Sequence, residues 1–175
     1  MKKFVVLLSV LSLTLTISPI FSVAEEQPKL SQECLEKMKY RDQTRDKLIM
    51  EDVISSFNLD IDESGYDELT YRDLDTSHLI YGGKENDSYY KSLRKIFETT
   101  PDWTQGHPKL YIKPLTAYFL YKKKDNTNVM VLLKLNDKKW EVVEKKETIG
   151  KEVKYNRVKC EKEYLKKRNE YENKK

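Results

Sequence analysis

Residues 135–144 read LNDKKWEVVE, which is the pattern of a β-hairpin. A short polar joint separates two runs in which apolar and polar residues alternate, as they do in paired antiparallel strands. We expect Trp140 and Val142 to point into the core, since side chains two positions apart lie on one face of a strand. The hairpin predicts an antiparallel sheet in this half of the chain.

Further strand patterns lie on either side of the hairpin. The runs 110–123, 128–135 and 139–145 are rich in β-branched and aromatic residues and are joined by short polar turns. Pro114 is expected to divide the first run, because proline cannot donate to a central ladder. An additional short strand is predicted at residues 77–83, where two glycines end it.

Helical patterns precede and follow these strands. Ser31 is a predicted N-cap, and the apolar spacing that resumes over residues 49–57 predicts one long helix or two helices. Residues 89–98 predict a further helix, and the chain is expected to be helical again from about Arg157. We therefore expect an α+β fold, in which N-terminal helices pack on a bent antiparallel sheet and a C-terminal helix follows.

The order helix, helix, strand, helix and meander, closing on LNDKKWEVVE, resembles the NTF2-like (cystatin-like) α+β superfamily over residues 30–147. The resemblance implies a bent sheet wrapped around helices, with a cone-shaped pocket. The superfamily includes enzymes, binding domains and accessory domains, so the resemblance does not determine a function. Residues 148–175 would be an addition to that pattern, as a basic and helical C-terminal segment.

Residues 1–24 have the pattern of a bacterial signal peptide. Two lysines precede an apolar run over residues 4–17, and Ala24 ends a small-residue cleavage site. A retained anchor helix is the alternative, but it would need about 20 apolar residues, and Pro19 interrupts the run. We therefore expect a secreted or cell-wall-associated protein with no membrane span after signal cleavage.

The charge of the chain limits the classes of partner that the protein is expected to bind. The formal net charge of +4 is too small for a nucleic-acid-binding face, which must neutralise many phosphates. Acids are concentrated in residues 60–75 and bases in residues 151–175. Because excess bases attract polyanions, the expected partner is an anionic wall polymer or an unknown extracellular protein.

Cys34 and Cys160 are the only two cysteines of the chain. In an exported protein the expectation is that they form a disulfide bond. This bond would clamp the first helix to the last segment and would contribute about 5 kcal/mol on the chain-entropy model. The alternative is a reactive thiol, which would need a neighbouring base and a reducing compartment.

An acidic loop resembles the start of a calcium-binding loop. Its candidate oxygen ligands are Asp60, Asp62, Ser64 and Glu68. Gly65 stands at the sharp turn, but Tyr71 occupies the position where a bidentate glutamate should close the site. We therefore expect no metal or other cofactor, and a weak calcium-binding structural module at Asp60–Glu68 is the alternative.

His107 is the better placed of the two histidines, because it is predicted to lie in a loop between Gly106 and Pro108. A pocket enzyme using His107 would also need a nucleophile and an orienting acid, and no spacing in the sequence predicts them. We therefore expect no catalytic residue, and the pocket enzyme is the alternative.

Several of the twelve tyrosines stand beside lysines. Tyrosine has a flat apolar face and a polar tip, which suits binding surfaces. The predicted binding surface consists of Tyr111, Lys113, Tyr118 and Lys122. Because of this predicted surface, we interpret the chain as a non-catalytic binding or accessory domain whose ligand is unknown. The alternative is that the four residues only cover the outer face of a sheet.

Overall fold

The computed structural model of the protein describes residues 26–62, 64–74, 87–100 and 104–174. The predicted signal peptide and the strand predicted at residues 77–83 lie outside the described residues. The described ranges contain helices and a five-stranded antiparallel sheet, which confirms the predicted α+β fold.

The sheet is an open meander. Its strands lie in the order β1-β2-β3-β4-β5, and each pairs with the next in antiparallel orientation. The elements are α1 Gln32–Ser56, β1 Asp67–Leu69, α2 Asp87–Glu98, β2 Thr104–Lys113, β3 Thr116–Lys123, β4 Thr127–Asn136, β5 Lys139–Ile149 and α3 Lys159–Glu172.

The N-terminal segment forms one continuous helix, α1, rather than two. Ser31 caps it as predicted, since its Oγ accepts a hydrogen bond of 3.2 Å from the N–H of Cys34. The polar middle of α1 stays helical because lysine, arginine and glutamine are good helix formers. Its second half buries Ile49 and Val53 against the sheet.

Both faces of the sheet are covered by apolar packing. Phe119 and Leu120 are neighbours in β3 and point to opposite faces, because side chains alternate along a strand. Phe119 packs in the cluster that contains Leu93 of α2, and Leu120 packs in the cluster that contains Val53 of α1. The sheet therefore lies between α1 and α2.

The hairpin at residues 135–144 is present, but one of its two predicted core contacts is wrong. Asp137 and Lys138 form the turn with positive φ angles, and Trp140 is 4% exposed. Val142, however, is 58% exposed. The reason is that β5 is an edge strand with a neighbour on one side only, and burial along it is confined to Trp140.

The segment around His107 belongs to β2 and is not the loop that the sequence predicts. Gly106 has a φ of 66°, and the register between β2 and β3 shifts between Gln105 and Lys109. A β-bulge therefore accommodates the residues that have the composition of a loop. Pro114 divides the long first run as predicted, between the end of β2 and the start of β3.

A covalent link joins the first helix to the last. The Sγ atoms of Cys34 and Cys160 lie 2.15 Å apart and their Cα atoms 5.9 Å apart, which confirms the predicted pairing. Helix α3 begins at Lys159, close to its predicted start. None of the helices in the described ranges combines the length and apolarity that a membrane span requires.

Candidate functional site

Residues 150–158 follow β5 and precede α3 without forming a helix or a strand, and we call this segment the strap. It lies along α1 and contacts it at Lys151 and at Tyr155. The N–H of Lys151 donates to Oδ2 of Asp52 at 3.0 Å, and the ring of Tyr155 lies under the guanidinium of Arg41 at 4.3 Å.

At least three clefts lie beside the strap, and the third, of about 580 Å³, has Glu51, Asp52 and Glu152 in its walls. The first has a volume of about 610 Å³, and its walls include Tyr40, Arg41, Leu48, Val153, Lys154 and Val158. The second has a volume of about 520 Å³, and its walls include Arg45, Gln105, Lys124, Asn126, Glu152 and Lys154. Arg45, Val153 and Lys154 line both the first and the second cleft, so these two form adjoining parts of one groove.

The second cleft presents basic groups. Arg45, Lys124 and Lys154 line it, and Glu152 is the one acid among its lining residues. Arg45 donates from its Nη2 to Oε1 of Gln105 at 3.0 Å, while its Nε is buried without a hydrogen-bond partner among the described residues. Such an arrangement can bind an anionic oxygen group, because guanidinium and ammonium groups form charge-assisted hydrogen bonds with it.

An ion pair holds α3 against α1 at the end of the strap. The guanidinium of Arg41 is bonded to the carboxylate of Glu161, and both side chains are largely buried. The hydroxyl of Tyr155 donates to the other oxygen of Glu161 at 3.3 Å. Together with the disulfide, these contacts hold both the strap and α3 against α1.

Beneath the strap, three polar side chains are buried together, and we call them the buried triad: Asp52, Lys122 and Asn128. Lys122 in β3 and Asn128 in β4 are cross-strand partners. Oδ2 of Asp52 accepts from Nζ of Lys122 at 2.6 Å and from Nδ2 of Asn128 at 2.7 Å. Burial alone would raise the pKa of Asp52, but the hydrogen bonds from Lys122 and Asn128 outweigh it and lower that pKa.

The strap closes over the buried triad at Gly150. A Cβ atom there would lie 2.2 Å from Nδ2 of Asn128 and 2.3 Å from Oδ2 of Asp52, so only glycine fits. Next to it, the carbonyl oxygen of Lys151 accepts a second hydrogen bond from Nζ of Lys122, at 2.6 Å. The glycine at the end of β5 is the sequence signal for this close approach.

The predicted binding surface lies on the face of the sheet toward α1, and half of it is buried: Tyr111, Lys113, Tyr118 and Lys122. Tyr111 donates to Oε2 of Glu68 at 3.2 Å, and burial raises the pKa of its phenol. Lys122 belongs to the buried triad. Only Lys113 and Tyr118 keep partial exposure, so an exposed binding surface does not include all four residues.

The acidic loop is engaged in contacts with the sheet. Glu68 lies in β1, and its Oε1 is 2.7 Å from Nζ of Lys109. Gly65 forms the turn with a φ of 67°, and Asp62 and Ser64 are exposed. Within the described residues, no group of three or more His, Cys, Asp or Glu side chains is placed to hold a metal ion.

His107 contacts an acid that the sequence spacing does not reveal. Its Nδ1 lies 2.5 Å from Oδ2 of Asp46 in α1, and its side chain is 83% exposed. Gly106 permits this approach, since a Cβ there would lie 2.7 Å from Oδ1 of Asp46. An acid in this position orients an imidazole, but no hydroxyl or thiol of the described residues hydrogen-bonds to the ring.

Comparison of the chain with protein-family models, with curated proteins and with solved structures finds no match. The resemblance to NTF2-like domains therefore stays a prediction. Three features of the described residues bear on function: the groove beside the strap, the buried triad and the contact between His107 and Asp46.

Proposed function

We propose that the protein is an exported, non-catalytic binding domain that binds an anionic polymer of the cell wall in the groove beside the strap. The second cleft carries this proposal, because three basic residues line it and only one acidic residue does. The bases are Arg45, Lys124 and Lys154, and the acid is Glu152. Export is supported by the signal pattern of residues 1–24 and by the disulfide, which is typical of oxidising compartments.

The first and second clefts suit different parts of a chain-like ligand. The first offers apolar side chains such as Leu48, Val153 and Val158, which can contact the carbon backbone of a polymer. The second offers a guanidinium and two ammonium groups, which favour phosphate oxygens. We therefore propose a polymer of phosphodiester-linked units as the ligand, held by its phosphates in the second cleft.

Retention of the purified protein on cell-wall material tests this function. We expect retention on phosphodiester-rich walls to fall when salt rises, because screening weakens charge contacts. Reversing two charges of the second cleft with Lys124→Glu and Lys154→Glu should lower the affinity at least tenfold. Lys134→Glu with Lys138→Glu is the matched control, since Lys134 is exposed near the far end of β4 and Lys138 is exposed in the turn that follows. Equal loss in both double variants would contradict a specific site.

A pocket enzyme is the second candidate, and the contact between His107 and Asp46 favours it. It predicts that activity on a panel of ester and amide substrates disappears in His107→Ala while the unfolding transition stays unchanged. A calcium-dependent module at Asp60–Glu68 would instead predict that a chelator lowers the melting temperature. The ion pair between Glu68 and Lys109 argues against this third candidate, because it occupies one of the carboxylate oxygens that would have to bind calcium.

A further inference from the structure

The buried triad holds an amine, a carboxamide and a carboxylate against one another, away from water. We propose that Nζ of Lys122 attacks Cγ of Asn128 in the folded protein and forms an amide bond between the two side chains, with Asp52 as the catalytic residue that moves the protons. The inference concerns a modification of the chain itself and does not depend on the ligand of the groove.

The fold places the two reacting side chains next to each other. Lys122 and Asn128 are cross-strand partners on adjacent strands, and their side chains lie on the same face of the sheet. Both residues are 0% exposed. Because the β3–β4 ladder fixes both backbones, the reaction is intramolecular and needs no encounter in solution.

One carboxylate oxygen contacts both partners. Oδ2 of Asp52 lies 2.6 Å from the amine that must lose protons and 2.7 Å from the Asn128 nitrogen that must leave. Such hydrogen-bond distances allow a single carboxylate to act first as a base and then as an acid. Asp52 is held in this position by the N–H of Lys151, which donates to the same oxygen.

The carboxamide of Asn128 is oriented for the loss of ammonia. Its Nδ2 contacts Oγ of Ser56 at 2.7 Å and the backbone oxygen of Asp52 at 3.3 Å, in addition to the carboxylate. Its Oδ1 is buried and has no hydrogen-bond partner among the described residues. The nitrogen that leaves therefore contacts the carboxylate, whereas no hydrogen bond from the described residues holds the carbonyl oxygen.

The step balances without an external reactant. Asp52 removes a proton from the Lys122 ammonium, and the resulting amine attacks Cγ, so that an N–C bond forms. The bond between Cγ and Nδ2 of Asn128 then breaks, and two protons from the lysine nitrogen reach the leaving nitrogen through Asp52. The products are an amide link, one ammonium ion and the regenerated carboxylate, so charge and atoms are conserved.

The surroundings favour this reaction over hydrolysis. Gly150 and Lys151 cover the triad, and Gly150 leaves no room for a further side chain. Water is thereby kept from Cγ of Asn128, and electrostatic interactions within the site are strong. Because the bond forms once in each molecule, a slow rate is sufficient.

The mass of the full chain, exported and folded with its disulfide intact, tests the proposal. We expect a mass lower by one ammonia than the oxidised sequence requires. Trypsin should yield a branched peptide in which Lys122 is joined to Asn128, because cleavage after Lys123 and Lys124 separates the two strands. A wild-type protein that keeps the full mass after prolonged incubation overturns the proposal.

Two variants separate this bond from other losses of ammonia. Lys122→Arg keeps the positive charge but should keep the full mass, and Asp52→Asn should keep it as well because no group moves the protons. An ammonia loss that persists in Lys122→Arg would assign the loss to ring closure at an asparagine and would overturn the proposal. If either variant fails to fold, the branched peptide from the wild-type protein decides the question alone.

Discussion

Gly150 lies so close to Asn128 that a Cβ atom on the glycine would be 2.2 Å from the amide nitrogen. This contact joins the start of the strap to the centre of the sheet. The strap, whose residues 152–155 line the second cleft of the proposed groove, therefore begins at the glycine that encloses the buried triad. We therefore expect a change at Gly150 to disturb the triad directly and the strap through its first residue.

Gly150→Ala should lower the free energy of unfolding by about 3 kcal/mol, because the added methyl group displaces Asn128 or Asp52 from the triad. Gly65→Ala is the matched control, since no atom lies within 4 Å and only its φ of 67° opposes the change. That control should cost about 1 kcal/mol. Urea unfolding measures both, and equal losses would contradict the close contact at Gly150.

Ser92→Ala should destabilise the protein by about 1–2 kcal/mol, because it leaves a buried backbone donor unpaired. Oγ of Ser92 accepts a hydrogen bond of 2.9 Å from the N–H of Trp140 on the edge strand β5. Ser88→Ala, at an exposed position of the same helix, is the control and should change stability little. The fluorescence of Trp140 should shift in the first variant alone; a shift in both would argue against the bond.

Glu161→Gln should lower the free energy of unfolding by about 1–2 kcal/mol, because the largely buried guanidinium of Arg41 loses one of its two charged partners and keeps Asp42, whose Oδ1 lies 2.9 Å from its Nε. The double variant Arg41→Met with Glu161→Leu should recover most of the loss, since it removes both charges. Chemical unfolding of the single and double variants measures this coupling. Additive losses would show that the two side chains do not act as a pair.

Val142→Ala should cost less than about 0.5 kcal/mol, because the side chain is exposed on the edge strand. Val129→Ala should cost about 2 kcal/mol, because Val129 is 0% exposed within the core between the sheet and α2. Thermal unfolding compares the two. A larger loss of stability in Val142→Ala than in Val129→Ala would indicate that the side chain of Val142 points into the core.

Features with a local pattern were predictable from the sequence. The cap at Ser31, the helix that contains Leu93, the division of the long run at Pro114 and the hairpin turn at Asp137 all follow from neighbouring residues. The disulfide was predictable because only two cysteines exist and residues 1–24 indicate export. In each case the relevant information lies within a few neighbouring residues or in the number of cysteines.

Features that depend on distant partners were not predictable. Lys122 has the sequence context of an exposed lysine, but it is buried by Asp52, which lies 70 positions earlier. The acid beside His107 comes from α1, and a bulge converts the expected loop into strand. Alternation alone placed Val142 in the core, because a sequence pattern does not show which strand lies at the edge of a sheet.

An NMR titration of the isotope-labelled protein with a phosphodiester polymer tests whether the groove beside the strap binds it. We expect the signals of Arg45, Lys124 and residues 150–158 to shift progressively, and added salt to reverse the shifts. Shifts confined to other surfaces, such as α2 or the turn at Asp137, would contradict binding in the groove. An unchanged spectrum at saturating polymer would contradict it as well.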